Sequence, residues 1–532
     1  MPAPLLTRAA GWLWPRCARQ VAPLAICAAI AGGLPASETG VKLLNPAALS
    51  ACSWQDPPPA PAWATVDDAL DAADAEPPSA EPAESSEESS ESPEPEKRSY
   101  YVEARSVGTR RETEPPRYVR ALDQVDLPLF ENASWCELGL DYRMRFEYRD
   151  DDLRRPVEGA DYPFLLRTRG YLGFKDVVDP LRGYIEFEDA RRYNSQFPLD
   201  NRDTNLNEII QAVAELHFAD ALGPDRPLRM QVGRFAFEYT DRRLIARNEW
   251  RNTTNNFQGF RTILGQQDND WQLDLLALQP MERLLSAPDR VDEERWFYGF
   301  VGDWRRWSQV VTLQPYFLVL DQNGKDGRPE RNIYTTAVRG YGIIGDSGYD
   351  FDFDVAYQFG RDDSRSHRAF GVTGELGYTW DHEMKPRLCA FCGYASGDRD
   401  PFDDVNQRFD RLFGFARPWS ADDYFLWENL IAPKVRLDFI AGEKWRFDMG
   451  YGVFWLASAT DSWAGANLRD PTGQSGDFMG HELDVRIRVA ATKRVDLTLG
   501  YAHFIPGAFT RNVGRRQDSD FFYVEVSPRL LK

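Results

Sequence analysis

Between Trp135 and Arg149 apolar and charged residues alternate one by one. Leu138, Leu140, Tyr142, Met144, Phe146 and Tyr148 fall on one side, and Glu137, Asp141, Arg143, Arg145, Glu147 and Arg149 on the other. Successive side chains of an extended chain point to opposite faces, so this pattern predicts a long two-faced β-strand. It recurs along the chain. Phe164, Leu166, Thr168 and Leu172 oppose Arg167, Arg169 and Lys175, and Phe351, Phe353, Val355 and Tyr357 oppose Asp350, Asp352, Asp354 and Gln358. Near the end, Trp445, Phe447, Met449, Tyr451 and Val453 oppose Arg446 and Asp448, while Leu483, Val485, Ile487 and Val489 oppose Glu482, Asp484, Arg486 and Arg488.

A soluble sandwich alternates too, and strand length separates the two cases. Globular strands average roughly five to six residues, whereas a tilted membrane strand needs about nine to eleven. The segments here belong to the longer class. They begin near 135, 164, 182, 208, 227, 257, 270, 296, 308, 333, 349, 368, 386, 432, 445, 481, 494 and 520, an even set of eighteen, as single-chain bacterial barrels require. Phe164, Phe174, Trp271, Trp296, Trp304, Trp380 and Trp445 stand at segment ends, where aromatic girdles meet the membrane interfaces. The predicted fold is an all-β, antiparallel transmembrane barrel of about eighteen strands over residues 131–532. Lipid satisfies neither a free sheet edge nor a charge, so the apolar face must look outward and the charged face inward toward water. A ring of that size leaves a channel unless loops fill it, which makes transport the default expectation.

Composition adds what precedes the barrel. Arg8, Arg16 and Arg19 lead into an apolar run from Val21 to Leu34 that is too short to cross a bilayer, followed by Ala36 and Ser37. Residues 1–37 are therefore expected to be a cleaved secretory signal. Leu49-Ser50-Ala51-Cys52 spells a lipobox-like tetrapeptide, but polar residues separate it from the apolar run, and it is read as chance. From Gln55 to Glu96 there are thirteen Asp or Glu, no Lys or Arg, and many Pro, Ala and Ser. Such a stretch cannot bury enough surface to fold, so residues 38–130 are expected to form a disordered acidic linker, with ordered structure starting after about Val125. With 63 Lys and Arg against 83 Asp and Glu, the formal charge of -20 excludes a nucleic-acid binder. Six cysteines, two of them in the signal, are too few for a disulfide framework.

Several motifs have the right order for one known family. Gly233-Arg234-Phe235, Arg243-Leu244, Trp250-Arg251-Asn252 and Phe257-Gln258-Gly259-Phe260-Arg261 form one run. Tyr394-Ala395-Ser396-Gly397-Asp398, Pro401, Asp403 and Phe409-Asp410-Arg411-Leu412-Phe413 form another, followed by Glu428-Asn429-Leu430, Phe454-Trp455-Leu456-Ala457, Gly480-His481-Glu482-Leu483-Asp484, and Gly500-Tyr501 with Pro506-Gly507. Over roughly Leu138 to Pro528 the chain resembles the alginate export family of eighteen-stranded outer-membrane barrels. The family's glycine after Gly-Arg is replaced within Glu238-Tyr239-Thr240-Asp241. The resemblance implies a non-enzymatic outer-membrane channel of a Gram-negative-type bacterium, without cofactor or metal. Its substrate would be a secreted anionic polysaccharide, and its partners lipid and a periplasmic scaffold of a secretion complex.

Candidate conduit residues follow from two sources. Strand parity places Arg143, Arg145, Arg167, Arg169, Arg486 and Arg488 on the inner face, and the family motifs add Arg234, Arg243 and Arg261. A polyuronate moves only if attraction is weak and repeated, which several arginine rungs supply. Glu137, Asp141, Glu147, Glu186, Glu188, Glu482 and Asp484 share those inner faces, so each arginine could equally be an ion pair that holds the barrel, and parity leaves the sign of the field open.

Other chemistries find little support. Ser396 sits one position late for a nucleophile elbow. Asp321 to Gly327 reads as a hairpin turn, because Lys325 occupies a calcium-ligand position and Asn332 replaces the closing glutamate. Cys389 and Cys392, three apart on a strand, face opposite sides, and the histidines are scattered, with His217 on an inner face. The rivals are an uptake porin for anions or oligosaccharides, a barrel hydrolase, and an envelope anchor working through its acidic tail.

Overall fold

A computed structural model describes residues 112–125 and 133–528, apart from 306, 309, 326 and 493. The expected signal, Cys52 and the Gln55 to Glu96 stretch lie outside the described residues. Eighteen long antiparallel strands form a closed ring. They are β2 (Cys136–Asp150), β4 (Phe164–Val178), β5 (Leu181–Tyr193), β6 (Asn205–Phe218), β7 (Leu228–Phe235), β8 (Phe257–Leu264), β9 (Trp271–Glu282), β11 (Arg295–Trp304) and β12 (Thr312–Gln322). The ring continues through β13 (Arg331–Ile343), β14 (Tyr349–Asp362), β15 (Arg365–Thr379), β16 (Arg387–Ala395), β18 (Leu430–Ala441), β19 (Trp445–Trp455), β20 (Phe478–Thr492), β21 (Val495–Pro506) and β22 (Ser519–Pro528). Each pairs with the next, and β22 closes on β2 from Met144↔Val526 to Asp150↔Asp520. Four short strands, β1 (Val119–Ala121), β3 (Ala160–Asp161), β10 (Arg290–Val291) and β17 (Val405–Asn406), attach to this ring.

The alternation in the sequence is the alternation of the wall. On β2, Leu140 and Phe146 are exposed on the outside while Arg143, Arg145, Glu147 and Arg149 are buried inside. On β14, Phe353, Val355 and Tyr357 are exposed and Asp350, Asp352, Asp354 and Gln358 buried. Lipid would cover the first set. Closure removes the sheet edge that hydrocarbon could not satisfy.

The two rims differ. One is closed by short turns such as 179–180, 344–348 and 442–444, and the other carries the long connections 236–256, 396–429 and 456–477. Barrels of this class keep short turns on the periplasmic side and long loops outside. Exposed Phe174, Trp304, Trp380 and Trp445 line the short-turn rim, and exposed Phe146, Tyr162 and Tyr193 the other, giving the two expected aromatic belts.

The described chain begins at Glu112, ahead of the start expected near Val125. Tyr118 places its ring against Gly139 and its hydroxyl 2.5 Å from Glu186 Oε1, and β1 then pairs with Glu137–Gly139 of β2. This strap lies against the inner wall.

Candidate functional site

The long connections 236–256 and 396–429 fold back into the barrel, and most of their side chains are buried. Their bases are pinned by side chains from the family-like motifs. Asn429 receives the backbone N–H of Ser458 at 2.7 Å and donates to the Ser458 carbonyl at 3.1 Å. A Cβ on Gly397 would lie 1.9 Å from Asn429 Oδ1, so the Ser-Gly-Asp segment needs its glycine to admit that amide. Asp398 accepts from Arg365 at 2.9 Å.

Inside the barrel the two connections cross. Phe413 N–H donates to the Leu244 carbonyl at 2.9 Å, Ala246 N–H to the Phe413 carbonyl at 3.3 Å, and Phe415 N–H to the Arg242 carbonyl at 3.4 Å. Gly414 lies at the crossing, where a Cβ would stand 1.7 Å from the Arg243 carbonyl oxygen. The Phe413 ring meets Phe257 and Phe297 edge-on, with centroids 5.0 and 5.1 Å away. The Trp250 indole is held between two guanidiniums, Arg145 of the wall at 4.0 Å and Arg417 of the second connection at 3.6 Å.

The structure gathers four of the arginines expected from parity beneath the first connection. Arg143 donates to the carbonyls of Glu249 and Arg251, each at 2.7 Å, and Arg145 to that of Trp250 at 2.7 Å. Arg169 reaches the Glu249 carboxylate at 2.7 Å and Glu188 at 2.9 Å, and Arg167 reaches Glu249 at 3.4 Å and Asp141 at 3.3 Å. Arg247 joins Glu249 to Glu186. Asn252, the last residue of the Trp-x-Asn motif, reaches the carbonyls of Leu166, Arg191 and Asp203. These arginines hold the loop to the wall.

The other expected arginines are separate from this group. Arg486 and Arg488 lie 2.9 and 3.7 Å from Asp448, and Arg234 2.5 Å from Glu208. Arg243 pairs with Asp241 and points at the Phe391 and Trp419 rings. Arg261 pairs with Asp274 and with Glu114 of the strap, each at 2.7 Å.

A different set of cations lies on the connections. Arg251, Arg283, Arg295 and Arg411 line a cavity of about 210 Å³ with Phe413 and Asn255, beside the loop crossing. Arg283 donates to neutral groups, Thr253 Oγ1 at 3.2 Å, the Thr254 carbonyl at 3.0 Å and Asn255 Oδ1 at 3.1 Å. Arg411 has one carboxylate, Glu428 at 3.2 Å, and Arg295 has Asp292 at 3.5 Å. Arg251 is held below the ordinary guanidinium range first by burial and then by the charges of Arg202, Arg283 and Arg411, against a smaller pull from Asp423. Burial lowers Arg202 and Arg283 as well. Asp200, Asp423, Glu188 and Asp289 pull these groups the other way, yet the cations stand close enough to disfavour one another's charge, which an incoming anion would relieve. Parity could not find Arg202, Arg251, Arg283 or Arg411, because they lie on connections. The signals were Arg251, inside the Trp-x-Asn motif, and Arg411, inside Phe409-Asp410-Arg411-Leu412-Phe413.

Cys389 is on the inner face, and among the described residues Cys136, Cys389 and Cys392 are buried and form no disulfide. Among the described residues no group of three His, Cys, Asp or Glu could hold a metal ion.

A family model described as alginate export matches residues 134–524. A search of curated proteins finds no match. Among solved structures, the outer membrane protein opdK of Pseudomonas aeruginosa matches with a TM-score of 0.51 at 13% identity, over 74% of this chain and 98% of its own. OpdQ of Pseudomonas aeruginosa matches with a TM-score of 0.51 at 12% identity, over 74% of this chain and 97% of its own. OccK8 (OprE) of the same organism matches with a TM-score of 0.50 at 12% identity, over 74% and 97%. At these identities the likeness is one of fold.

Proposed function

The chain belongs to the alginate export family of outer-membrane β-barrels, and from that premise we propose that it exports an anionic polysaccharide through a lumen whose attraction is set by the loop arginines Arg202, Arg251, Arg283 and Arg411. The observation that carries this reading is the arginine-lined cavity at the loop crossing, where, among the described residues, Arg283 donates to neutral groups of Thr253, Thr254 and Asn255, and Arg251 feels Arg202, Arg283 and Arg411 more strongly than Asp423. A polyuronate chain presents one carboxylate per sugar. Arginines crowded together attract each carboxylate as it arrives, and because they lie side by side, the chain hands over from one to the next rather than stopping.

The wall arginines have a supporting role in this reading. Arg143, Arg145, Arg167 and Arg169 fix the loop that carries Arg251, while Arg234, Arg243, Arg261, Arg486 and Arg488 add rungs that are partly neutralised by Glu208, Asp241, Asp274 and Asp448. A periplasmic scaffold delivering polymer to the short-turn rim belongs to the same reading by family resemblance.

The test is current through single channels in planar bilayers. Oligouronate added on the short-turn side is expected to block wild-type current, and Arg251→Ala with Arg283→Ala is expected to weaken that block about ten-fold and reduce anion selectivity. Unchanged block and selectivity in the double variant would overturn the assignment.

A further inference from the structure

Arg261 is an inner-wall guanidinium whose partner comes from the strap. Its Nε and Nη2 engage Asp274 at 3.2 and 2.7 Å, while Nη1 is taken by both carboxylate oxygens of Glu114, at 2.9 and 2.7 Å. The guanidinium carbon lies 5.4 Å from the ring centroids of Phe237 and Tyr239, so apolar ring faces adjoin the cation. Both rings are buried, so they hold the guanidinium in place while its outer nitrogen is left to a carboxylate.

The strap holds Glu114 there from both sides, with Leu122 packed in one cluster with Ala133 and Cys136. Glu112 N–H donates to Glu238 Oε1 at 2.8 Å, Tyr118 hydroxyl reaches Glu186 Oε1 at 2.5 Å, and β1 adds three paired residues at the rim. The Arg261 side chain is 6% exposed, but that of Glu114 is 33% exposed. The cation is thus built into the wall, whereas the anion is still half in water. Water reaches the carboxylate end of the pair, so another carboxylate can exchange with it without uncovering the guanidinium first.

We propose that Glu114 occupies the Arg261 rung of the export path as the chain's own stand-in for a uronate carboxylate until polymer displaces the strap. The inference rests on the export reading above. Tethering gives Glu114 an effective concentration on the order of millimolar, which excludes isolated small anions. A polyuronate engaged at the loop arginines is itself held beside Arg261 and competes on equal terms. The strap thereby makes entry selective for long anions over short ones.

The experiment follows the strap directly in the full chain in liposomes. Pro116 is buried, so Pro116→Cys reports seating through its rate of reaction with a water-soluble thiol reagent. Labelling is expected to be slow alone, about ten-fold faster with a long oligouronate, unaffected by free glucuronate, and fast without ligand when Glu114→Gln is added. In bilayers, Glu114→Gln alone is expected to lower several-fold the oligouronate concentration that half-blocks the current. Equal labelling rates with and without oligouronate, and equal block in Glu114→Gln and wild type, would overturn the strap's role while leaving export standing, provided that Arg251→Ala still weakens the block. A channel that oligouronate neither blocks nor relabels in any variant overturns the export reading, and this inference with it.

Discussion

The wall and the loops inside it are built on opposite rules. Along the wall the backbone is satisfied by neighbouring strands, and inner cations mostly meet carboxylates of the wall: Arg486 and Arg436 at Asp448, Arg339 at Asp352, Arg387 at Asp350 and Glu375. In the connections 236–256 and 396–429, six non-glycine residues are left-handed: Thr240, Arg242, Asn248, Leu412, Asp423 and Asn429, with φ between 44° and 70°. Such conformations cost roughly 1–3 kcal/mol each and persist only where surroundings enforce them. The same connections carry Arg251 and Arg411 at the arginine-lined cavity. Paired backbone and paired charge are concentrated in the wall, and left-handed backbone with closely spaced cations at the crossing. That division is expected of a channel whose scaffold must stay closed while its constriction attracts passing charge.

The sharpest way to break the division is to separate the two connections. Gly414→Val would drive a side chain into the Arg243 carbonyl, which a Cβ alone already meets at 1.7 Å, and the carbonyl belongs to backbone that cannot swing aside. The crossing hydrogen bonds of Phe413 and Phe415 should be lost. Single-channel conductance is expected to rise several-fold while the barrel keeps its heat-dependent gel mobility. Unchanged conductance would mean that the crossing does not obstruct the lumen.

A second comparison sets Glu249 against Arg251, which are two residues apart. Glu249 neutralises Arg167, Arg169 and Arg247, and Glu249→Ala leaves buried guanidiniums short of a partner, a loss of about 3–5 kcal/mol when a buried pair is broken from one side. Arg251→Ala removes a cation that neighbouring cations already disfavour. The first variant is expected to lower the midpoint of denaturant unfolding clearly. The second should leave that midpoint unchanged or slightly raised and reduce anion selectivity severalfold. If Arg251→Ala unfolds as easily as Glu249→Ala, the charge of Arg251 is structural and the comparison fails.

The same contrast explains what could be read from the chain. Period-two alternation is written locally, residue by residue, and the observed strands begin close to the expected positions, the largest offset being Thr312 against 308. Phase then fixes the face, so Arg143, Arg145, Arg167 and Arg169 were found on the inner wall. Neither property exists in a connection. Arg202, Arg283 and Arg411 follow no period, and they come together because three separate connections enter one lumen. The strap was illegible for a related reason: residues 112–121 are polar, lack alternation, and owe their order to Arg261, Glu186 and β2 rather than to local propensity. Even the correctly placed arginines had a hidden task, since holding the carbonyls of Glu249, Trp250 and Arg251 depends on a loop that strand parity does not describe.

The smallest expected effect concerns pH, and it sharpens the boundary between strap and wall. The Glu112 carboxyl is pushed up to about 8, first by burial and then by the charge of Glu249, while Arg247, the Thr113 backbone N–H and Arg169 pull the other way. Glu238 faces the same segment through the Glu112 backbone N–H. Because the seated strap raises this group above its ordinary value of 4.5, seating favours the protonated form. The contribution is complete below the ordinary value, persists in part up to about 8, and is lost as pH rises through that point, where a carboxylate would stand beside Glu249. Labelling of Pro116→Cys, corrected for ionisation of the reporter thiol with a fully exposed control cysteine, is therefore expected to be slow at pH 6 and a few-fold faster at pH 9. Glu112→Gln should flatten the profile without altering the barrel's unfolding midpoint. A profile that persists in Glu112→Gln would assign the pH response to the loops or the wall instead, and the strap would then be no more separable from the scaffold than β2 itself.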